Sequence, residues 1–435
     1  MEITRTVLGI LFTQLLVLFF SALAHDGGYS VFGADLSQRS KKHPELTVLG
    51  YVTPWNSRGS DFMRDHRGKF DIACPVWYTI SADEGQAKVY EVKGSPAGEK
   101  DIEWYQELQE VSVSGNKPLQ VTPRFLLDGW DQDDYRSLVF NQTRWQLLAD
   151  SILRVVKEMN YDGLVFESSA THALVAPLSV LSASLHANKK ILIVVSPPIR
   201  SAIQVEDAHA INRYNGMIIE SIASLADIAD YISIMTYDMT GPLGRESISN
   251  KESGPAREPG PNTSINWIQE NLAAFLHASS STMNNLHGKY EEQLSQIKQK
   301  PRVKFLVGLP LYGYTYPIIL LDKNSGRRTH SSGHQDDAAA ILRGPGEAIA
   351  SVDIERIVQA HKPKISETEE GEPFFDYVKE TDDSLWRIFM PSQESLTHAI
   401  KTVLEVFSLY NHSSDGIGLA LWELGQSPDD LLSSI

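Results

Sequence analysis

"RWQLLADSILRVVKEMNYDGLVFESS", residues 144–169, decides the fold. Its first part places Leu147, Leu148, Ile152, Val155, Val156 and Met159 at helical spacing, one apolar face of an amphipathic helix. At "YDGLVFESS" (161–169) the period changes, and the apolar residues become consecutive, as in a strand covered on both faces. A helix that feeds such a strand is half of a parallel α/β unit. Similar apolar runs stand at 46–55, 70–80, 119–130, 190–199, 229–239, 304–314 and 415–424, making eight with 161–169. Eight strands alternating with helical segments predict an α/β fold of the (β/α)8 TIM-barrel type.

One interval breaks the rhythm. Some 100 residues separate the seventh run from the eighth, far more than one helix needs. Within it, "PFFDYVKETDDSLWRIFM" (373–390) reads as an antiparallel hairpin turning at Thr381-Asp382-Asp383. Residues 316–390 are therefore expected to form a small α+β insertion, followed by the helix 392–410, over the C-terminal mouth where barrel loops carry binding residues. The Pro/Gly-rich stretch 253–262 predicts a loop after the sixth strand.

The ends of the chain carry different information. Residues 1–24 have the pattern of a secretory signal peptide: Arg5, an apolar core, and the cleavage triplet Ala22-Leu23-Ala24. Residues 25–45 are polar and predict a mobile lead-in, leaving 46–435 as the barrel unit. Sequons at Asn141, Asn262 and Asn411 make these candidate glycosylation sites and agree with the secretory pathway, ending outside the cell or in a lysosome or vacuole. Cys74 is the sole cysteine, so no intrachain disulfide can form, and its apolar context predicts a small buried hydrophobe. The formal net charge of −16 argues against a nucleic-acid partner. After signal cleavage no apolar stretch remains for stable membrane insertion. No phosphate-cradling Gly-rich loop is present, and His25, His43 and His66 lack metal-ligand spacing, so neither cofactor nor metal is expected.

Aromatic residues and carboxylates gather at the strand ends: Trp55, Trp77, Tyr78, Trp130, Tyr237 with Asp238, Tyr312, Tyr314, and Trp422 with Glu423. Aromatic faces at a barrel mouth suit stacking on sugar rings. Core packing or a rim seal is the alternative for each, Trp77 and Trp130 included.

At these residues the chain resembles glycoside hydrolase family 18, the chitinases and chitinase-like lectins. "MTYDM" (235–239) resembles that family's sixth-strand motif, "GLPLYGY" (308–314) its seventh, and "LALWELG" (419–425) its eighth. Within the family the resemblance is strongest to the chitinase domain-containing protein 1, or stabilin-interacting chitinase-like, group. It implies an oligosaccharide ligand built from N-acetylglucosamine, with Trp422 as the floor of the sugar site and Tyr237 and Asp238 as groups that hold the sugar. Trp55, Trp130, Tyr312 and Glu167 complete the candidate carbohydrate-binding set.

The fourth strand departs from the family. Its pattern D-G-x-D-x-D-x-E ends in the Glu that protonates the leaving oxygen, while the substrate's acetamido group replaces the second carboxylate of other glycosidases. Placing Asp162-Gly163 on the family's D-G puts Val165 and Glu167 at the two inner Asp positions and Ser169 at the acid. Residues on one strand face recur every ~6.6–7 Å, so Glu167 cannot reach the acid's place unless the backbone bulges. A serine hydroxyl is no general acid at neutral pH, and losing a positioned acid costs about 10²–10⁴-fold in rate. Glu167 either hydrogen-bonds sugar or pairs internally, with Asp238 or with Arg124. Three readings follow: a chitinase-like lectin that binds without hydrolysis, an active glycosidase using Glu167, Asp238 or Glu423 as its acid, or a scaffold whose surface binds a protein receptor.

Overall fold

A computed structural model describes residues 40–82, 90–96, 98–111, 116–200, 208–246, 257–279, 303–322, 328–329, 338–410 and 416–435. Residues 1–24, expected as a signal peptide, and most of the expected lead-in lie outside these residues. Eight parallel strands close into a barrel: β1 (Thr47–Val52), β2 (Ile72–Pro75, continued by Tyr78–Ser81), β3 (Gln120–Val121, continued by Arg124–Leu127), β4 (Gly163–Glu167), β5 (Ile191–Ser196), β6 (Tyr231–Ile234), β7 (Lys304–Pro310) and β8 (Ile417–Trp422). Each half of β2 pairs with the matching half of β3, and β8 returns to β1 with Thr47 opposite Gly418.

Strand alternation sorts the apolar residues into two cores. Leu49, Tyr51, Ile72, Cys74, Val76, Val165, Ile193, Val195, Leu306 and Ala420 fill the lumen. Their sequence neighbours, among them Leu164, Phe166, Leu192, Val194 and Leu419, face the helices outside. Helix Gln142–Glu158 buries Leu148, Ile152 and Val156 on that outer layer, the face its spacing predicted. Gly163 is required by close approach, because a Cβ there would stand 2.2 Å from the Ile191 carbonyl oxygen.

One device repeats at the bottom of the barrel. Asp71, Asp162 and Asp230, at the starts of β2, β4 and β6, accept the backbone N–H of Val48, Val121 and Leu192 from the strands before them, each at 2.8 Å. Thus Asp162, first of the two residues that set the strand-four alignment, closes the barrel floor rather than serving the mouth. Lys41 bonds both Asp71 and the Leu46 carbonyl, and the Lys42 amide donates to Ile435. The last residues of the predicted lead-in are therefore tied down: attachment starts at Lys41, because charge pairing at the floor reaches beyond β1.

The insertion is an antiparallel sheet built on the long strand Tyr312–Asp322, which pairs with Ala338–Leu342, Glu347–Ala350 and Ser384–Phe389. Pro373–Lys379 pairs with Ser384–Phe389 as the predicted hairpin, with Asp383 at φ 55° in its turn. The sheet begins at Tyr312 rather than 316: the seventh apolar run holds both β7 and the first insertion strand, separated only by Leu311. Within the predicted loop 253–262, Arg257–Glu258 pairs antiparallel with Arg245–Glu246. Among the described residues no helix is long and apolar enough to cross a membrane.

Candidate functional site

β4 carries Val165 and Glu167 on its lumen side. Val165 is fully buried among the lumen residues. Arg124, from β3, lies opposite Val165 in the strand register, and its Nη1 donates to Glu167 Oε2 at 3.2 Å. The pairing of β4 with β3 and β5 is regular up to Phe166 and Glu167, so no bulge carries Glu167 forward. Of the internal partners open to Glu167, Arg124 is the one it takes. Where the family carries clustered acids, this chain has an ion pair and a valine. Ser169 lies past the end of β4, exposed, with its Oγ 3.0 Å from the Tyr135 hydroxyl.

Trp422 ends β8 above this pair. Its ring lies edge-on to Tyr51 at 5.0 Å, nearly parallel to Tyr237 at 6.5 Å, and 6.0 Å from the Arg124 guanidinium carbon. Gly308 on β7 leaves room for Tyr237, since a Cβ there would stand 2.8 Å from the phenol ring. Burial, then the Tyr51, Glu167 and Asp238 groups, holds the Tyr237 phenol well above its ordinary range and hence protonated. It is a donor suited to a carbonyl oxygen.

Asp238 follows in a left-handed conformation, φ 60°, which few residues other than Gly adopt without support. Asn262 supplies that support. Its Oδ1 accepts the Asp238 amide at 2.7 Å, and its Nδ2 donates to the Tyr312 carbonyl at 3.0 Å. The Asn262 amide donates to Glu372 of the insertion at 2.5 Å. Asp238 Oδ1 then receives the hydroxyls of Tyr312 and Tyr314. So Tyr312 reaches the site as a partner of Asp238, and Tyr314 joins it.

Trp55 projects from the end of β1 with 40% of its surface exposed. Its indole N–H donates at 3.0 Å to Glu423 Oε1, which also accepts the Gln426 amide at 2.6 Å. Glu423 itself is only 1% exposed. Burial pushes its carboxyl up to about 6, against the hydrogen bonds it accepts and the Arg124 charge.

Two expectations fail. Trp130 is 5% exposed, donates to the Ile80 carbonyl at 2.7 Å, stacks on Tyr90 and packs against Tyr135. No sugar can lie on a ring so covered, so Trp130 is a packing residue. Asn262 is fully buried with its amide nitrogen engaged, so this fold has no room for a glycan there. Asn141 is exposed and caps helix Gln142–Glu158 through its Oδ1, while Asn411 lies outside the described residues. Among the described residues no group of three His, Cys, Asp or Glu side chains is placed to hold a metal ion.

Sequence reading missed Asn262 as the hub beneath Asp238. Its sequon drew attention to the wrong chemistry, and its partners are far away in the chain. It also missed the hold of Glu423 on Trp55, because the two residues lie 368 positions apart.

A closed parallel barrel with an antiparallel insertion between β7 and β8, and an aromatic-lined mouth, defines the chitinase-type architecture. The chain belongs to glycosyl hydrolases family 18, which it matches over residues 47–426. Solved structures of similar fold include a chitinase from Chromobacterium violaceum, with TM-score 0.61 and 16% identity over 89% of this chain and 97% of that one. Another is the spore cortex-lytic enzyme SleL of Bacillus megaterium, with TM-score 0.56 and 17% identity over 89% and 73%. A third is a family 18 N-acetylglucosaminidase from Paenibacillus barengoltzii, with TM-score 0.54 and 14% identity over 89% and 98%. At these identities the likeness concerns the fold.

Proposed function

We propose that this protein is a chitinase-like lectin: it holds chitooligosaccharides or related N-acetylglucosamine glycans at the barrel mouth and does not hydrolyse them. One observation carries the reading. At the end of β4 the lumen holds the Arg124–Glu167 ion pair, and the family motif aligns Ser169 with the acid. Glu167, held by Arg124, is placed to hydrogen-bond a sugar hydroxyl or amide. Around it, Trp422, the protonated Tyr237 and Asp238 remain to hold a sugar unit. The resemblance to the chitinase domain-containing protein 1 group belongs to the same proposal, as does a place in the secretory pathway, outside the cell or in a lysosome or vacuole.

An active glycosidase has one observation in its favour: Glu423 has a carboxyl raised to about 6, a value suited to a general acid. Its burial weighs against it. A general acid must come within hydrogen-bond reach of the leaving oxygen, and Glu423 Oε2 has neither exposed surface nor a hydrogen-bond partner among the described residues.

The test is binding of chitotetraose by the wild type and by Trp422→Ala. Loss of a buried aromatic anchor typically costs 2 kcal/mol or more, about 30-fold in affinity. Unchanged binding by Trp422→Ala would show that the glycan sits elsewhere.

A further inference from the structure

We propose that Asn262 and Glu372, neither of which a glycan can touch, are positioning residues for glycan binding: through them the insertion fixes the backbone of Asp238. The proposal rests on the lectin reading and deepens it, because it makes part of the glycan affinity a property of the insertion.

Between Ile234 and Arg245 the chain has no helix or strand of its own. The insertion grips this stretch point by point instead. Tyr312, Tyr314 and Tyr316 alternate along one face of the insertion's long strand. The first two give their hydroxyls to Asp238 Oδ1, and the third donates to the Gly241 carbonyl at 2.8 Å. The Gly346 amide donates to the Pro242 carbonyl at 2.7 Å, and Arg245 pairs with Glu370 at 2.9 Å.

Those bonds hold the Asp238 carboxylate and the loop beyond it, but not the left-handed backbone of Asp238 itself. Such a conformation persists in a residue other than Gly only where its surroundings over-determine it. Asn262 supplies that constraint by accepting the amides on both sides of the Asp238 Cα. Its Oδ1 takes the Asp238 N–H at 2.7 Å, and its backbone carbonyl takes the Met239 N–H at 2.9 Å. Fixing both amides fixes φ and ψ between them. Asn262 is in turn held by the insertion, through Nδ2 on the Tyr312 carbonyl and its own amide on Glu372 Oε2. Thr368 holds Glu372: its hydroxyl accepts the Glu372 amide at 3.1 Å, and its amide donates to the Glu372 carbonyl at 3.0 Å.

Asn262 is 0% exposed and Glu372 3%. Their effect on a glycan must therefore pass through Asp238. An aspartate already fixed loses little freedom when a sugar arrives, whereas a loose one has to be ordered first.

Hydrogen exchange and glycan titration on the full chain test the two halves of this proposal. Exchange over residues 237–246, followed by mass spectrometry, should quicken in Asn262→Ala. It should quicken also in Glu372→Met, which keeps the volume but accepts no hydrogen bond, and Glu372→Gln, which accepts one, should exchange as the wild type does. Chitotetraose affinity should fall about tenfold in Asn262→Ala and about threefold in Glu372→Met, with Glu372→Gln restoring it. Glu372→Met repeats both arms should Asn262→Ala fail to fold. Asp238→Gly removes the carboxylate together with the need to support a left-handed residue. Adding Asn262→Ala to Asp238→Gly should then cost no further affinity. A further loss in that background would mean that Asn262 acts through the fold at large, and would overturn the proposal. Wild-type exchange in Asn262→Ala and Glu372→Met overturns the hold, whatever the glycan result. Quickened exchange with unchanged tetraose affinity overturns the positioning role and leaves the lectin reading standing. Quickened exchange in a protein whose wild type binds no tetraose overturns the lectin reading, and the positioning role with it.

Discussion

Replacing Glu372 by Gln should remove much of the pH dependence of this protein's stability. Glu372 is 3% exposed; its Oε2 accepts the amides of Asn262 and Thr263, and its Oε1 has no hydrogen-bond partner among the described residues. Burial raises its carboxyl from the ordinary 4.5 to about 8, overriding those two amides. The folded state therefore keeps the proton to about pH 8, while the unfolded chain loses it near 4.5. Stability from this group is fully present below 4.5 and declines as pH rises through 8. Each pH unit well inside that window costs about 1.4 kcal/mol, so the step from pH 5 to 7.5 costs on the order of 3 kcal/mol. Glu423, raised to about 6, adds on the order of 1 kcal/mol of the same sign over that step. Urea denaturation at pH 5, 6, 7 and 7.5 should find the wild type most stable at pH 5. In Glu372→Gln, which mimics the protonated form, the wild-type decline should shrink by about 3 kcal/mol. Parallel pH profiles for the two proteins would refute the reasoning. The effect bears on the mouth as well, because Glu372 anchors Asn262 and Asn262 holds Asp238.

Other outcomes follow from the same geometry. Arg124→Met strands Glu167 in a largely buried place and should cost about 2 kcal/mol, less than a fully buried pair would; in thermal melts the double change Arg124→Met with Glu167→Leu should recover most of it. Installing the family's acids by Val165→Asp with Ser169→Glu should leave chitotetraose hydrolysis near background. The new inner carboxylate faces Arg124 across the β3–β4 register, and turnover should rise only when Arg124 is also replaced, as product chromatography would show. Trp130→Ala should lower stability by about 3–5 kcal/mol, the range for a buried aromatic, while leaving glycan affinity unchanged by titration calorimetry. Glycopeptide mapping of protein expressed through a secretory pathway should find Asn262 unmodified, and a glycan at Asn262 in folded material would contradict its buried place.

The barrel was legible because its signals are local. Apolar runs at 161–169 and 190–199 and the helical face of 144–159 each declare their own element, and the long gap before β8 declares the insertion. The departure of the fourth strand from the family pattern was legible for the same reason: Val165, Glu167 and Ser169 lie within five residues, and strand periodicity fixes which way Val165 and Glu167 point. Arg124 could be named as a possible partner of Glu167, but their pairing depends on the β3–β4 register, which no local pattern states. Trp130 shows the limit of strand-end reasoning. Its place in the sequence suits a sugar platform as well as Trp55 does, and only Tyr90 and Tyr135, brought in from other segments, cover it. Asn262 was misread outright, since a sequon looks the same whether its asparagine is exposed or locked beneath a left-handed aspartate. The floor aspartates teach the converse: Asp162 belongs to a motif usually read for chemistry, yet its carboxylate caps a neighbouring strand.

The central claim is that the mouth binds and does not cut. Titration calorimetry of the protein with chitotetraose, followed by chromatography of the cell contents, tests it most directly. The account predicts heat that saturates at a fixed stoichiometry and tetraose recovered intact. Continuing heat after each injection, with shorter sugars in the cell, would contradict the assignment of Ser169 and the Arg124–Glu167 pair as a disabled acid site.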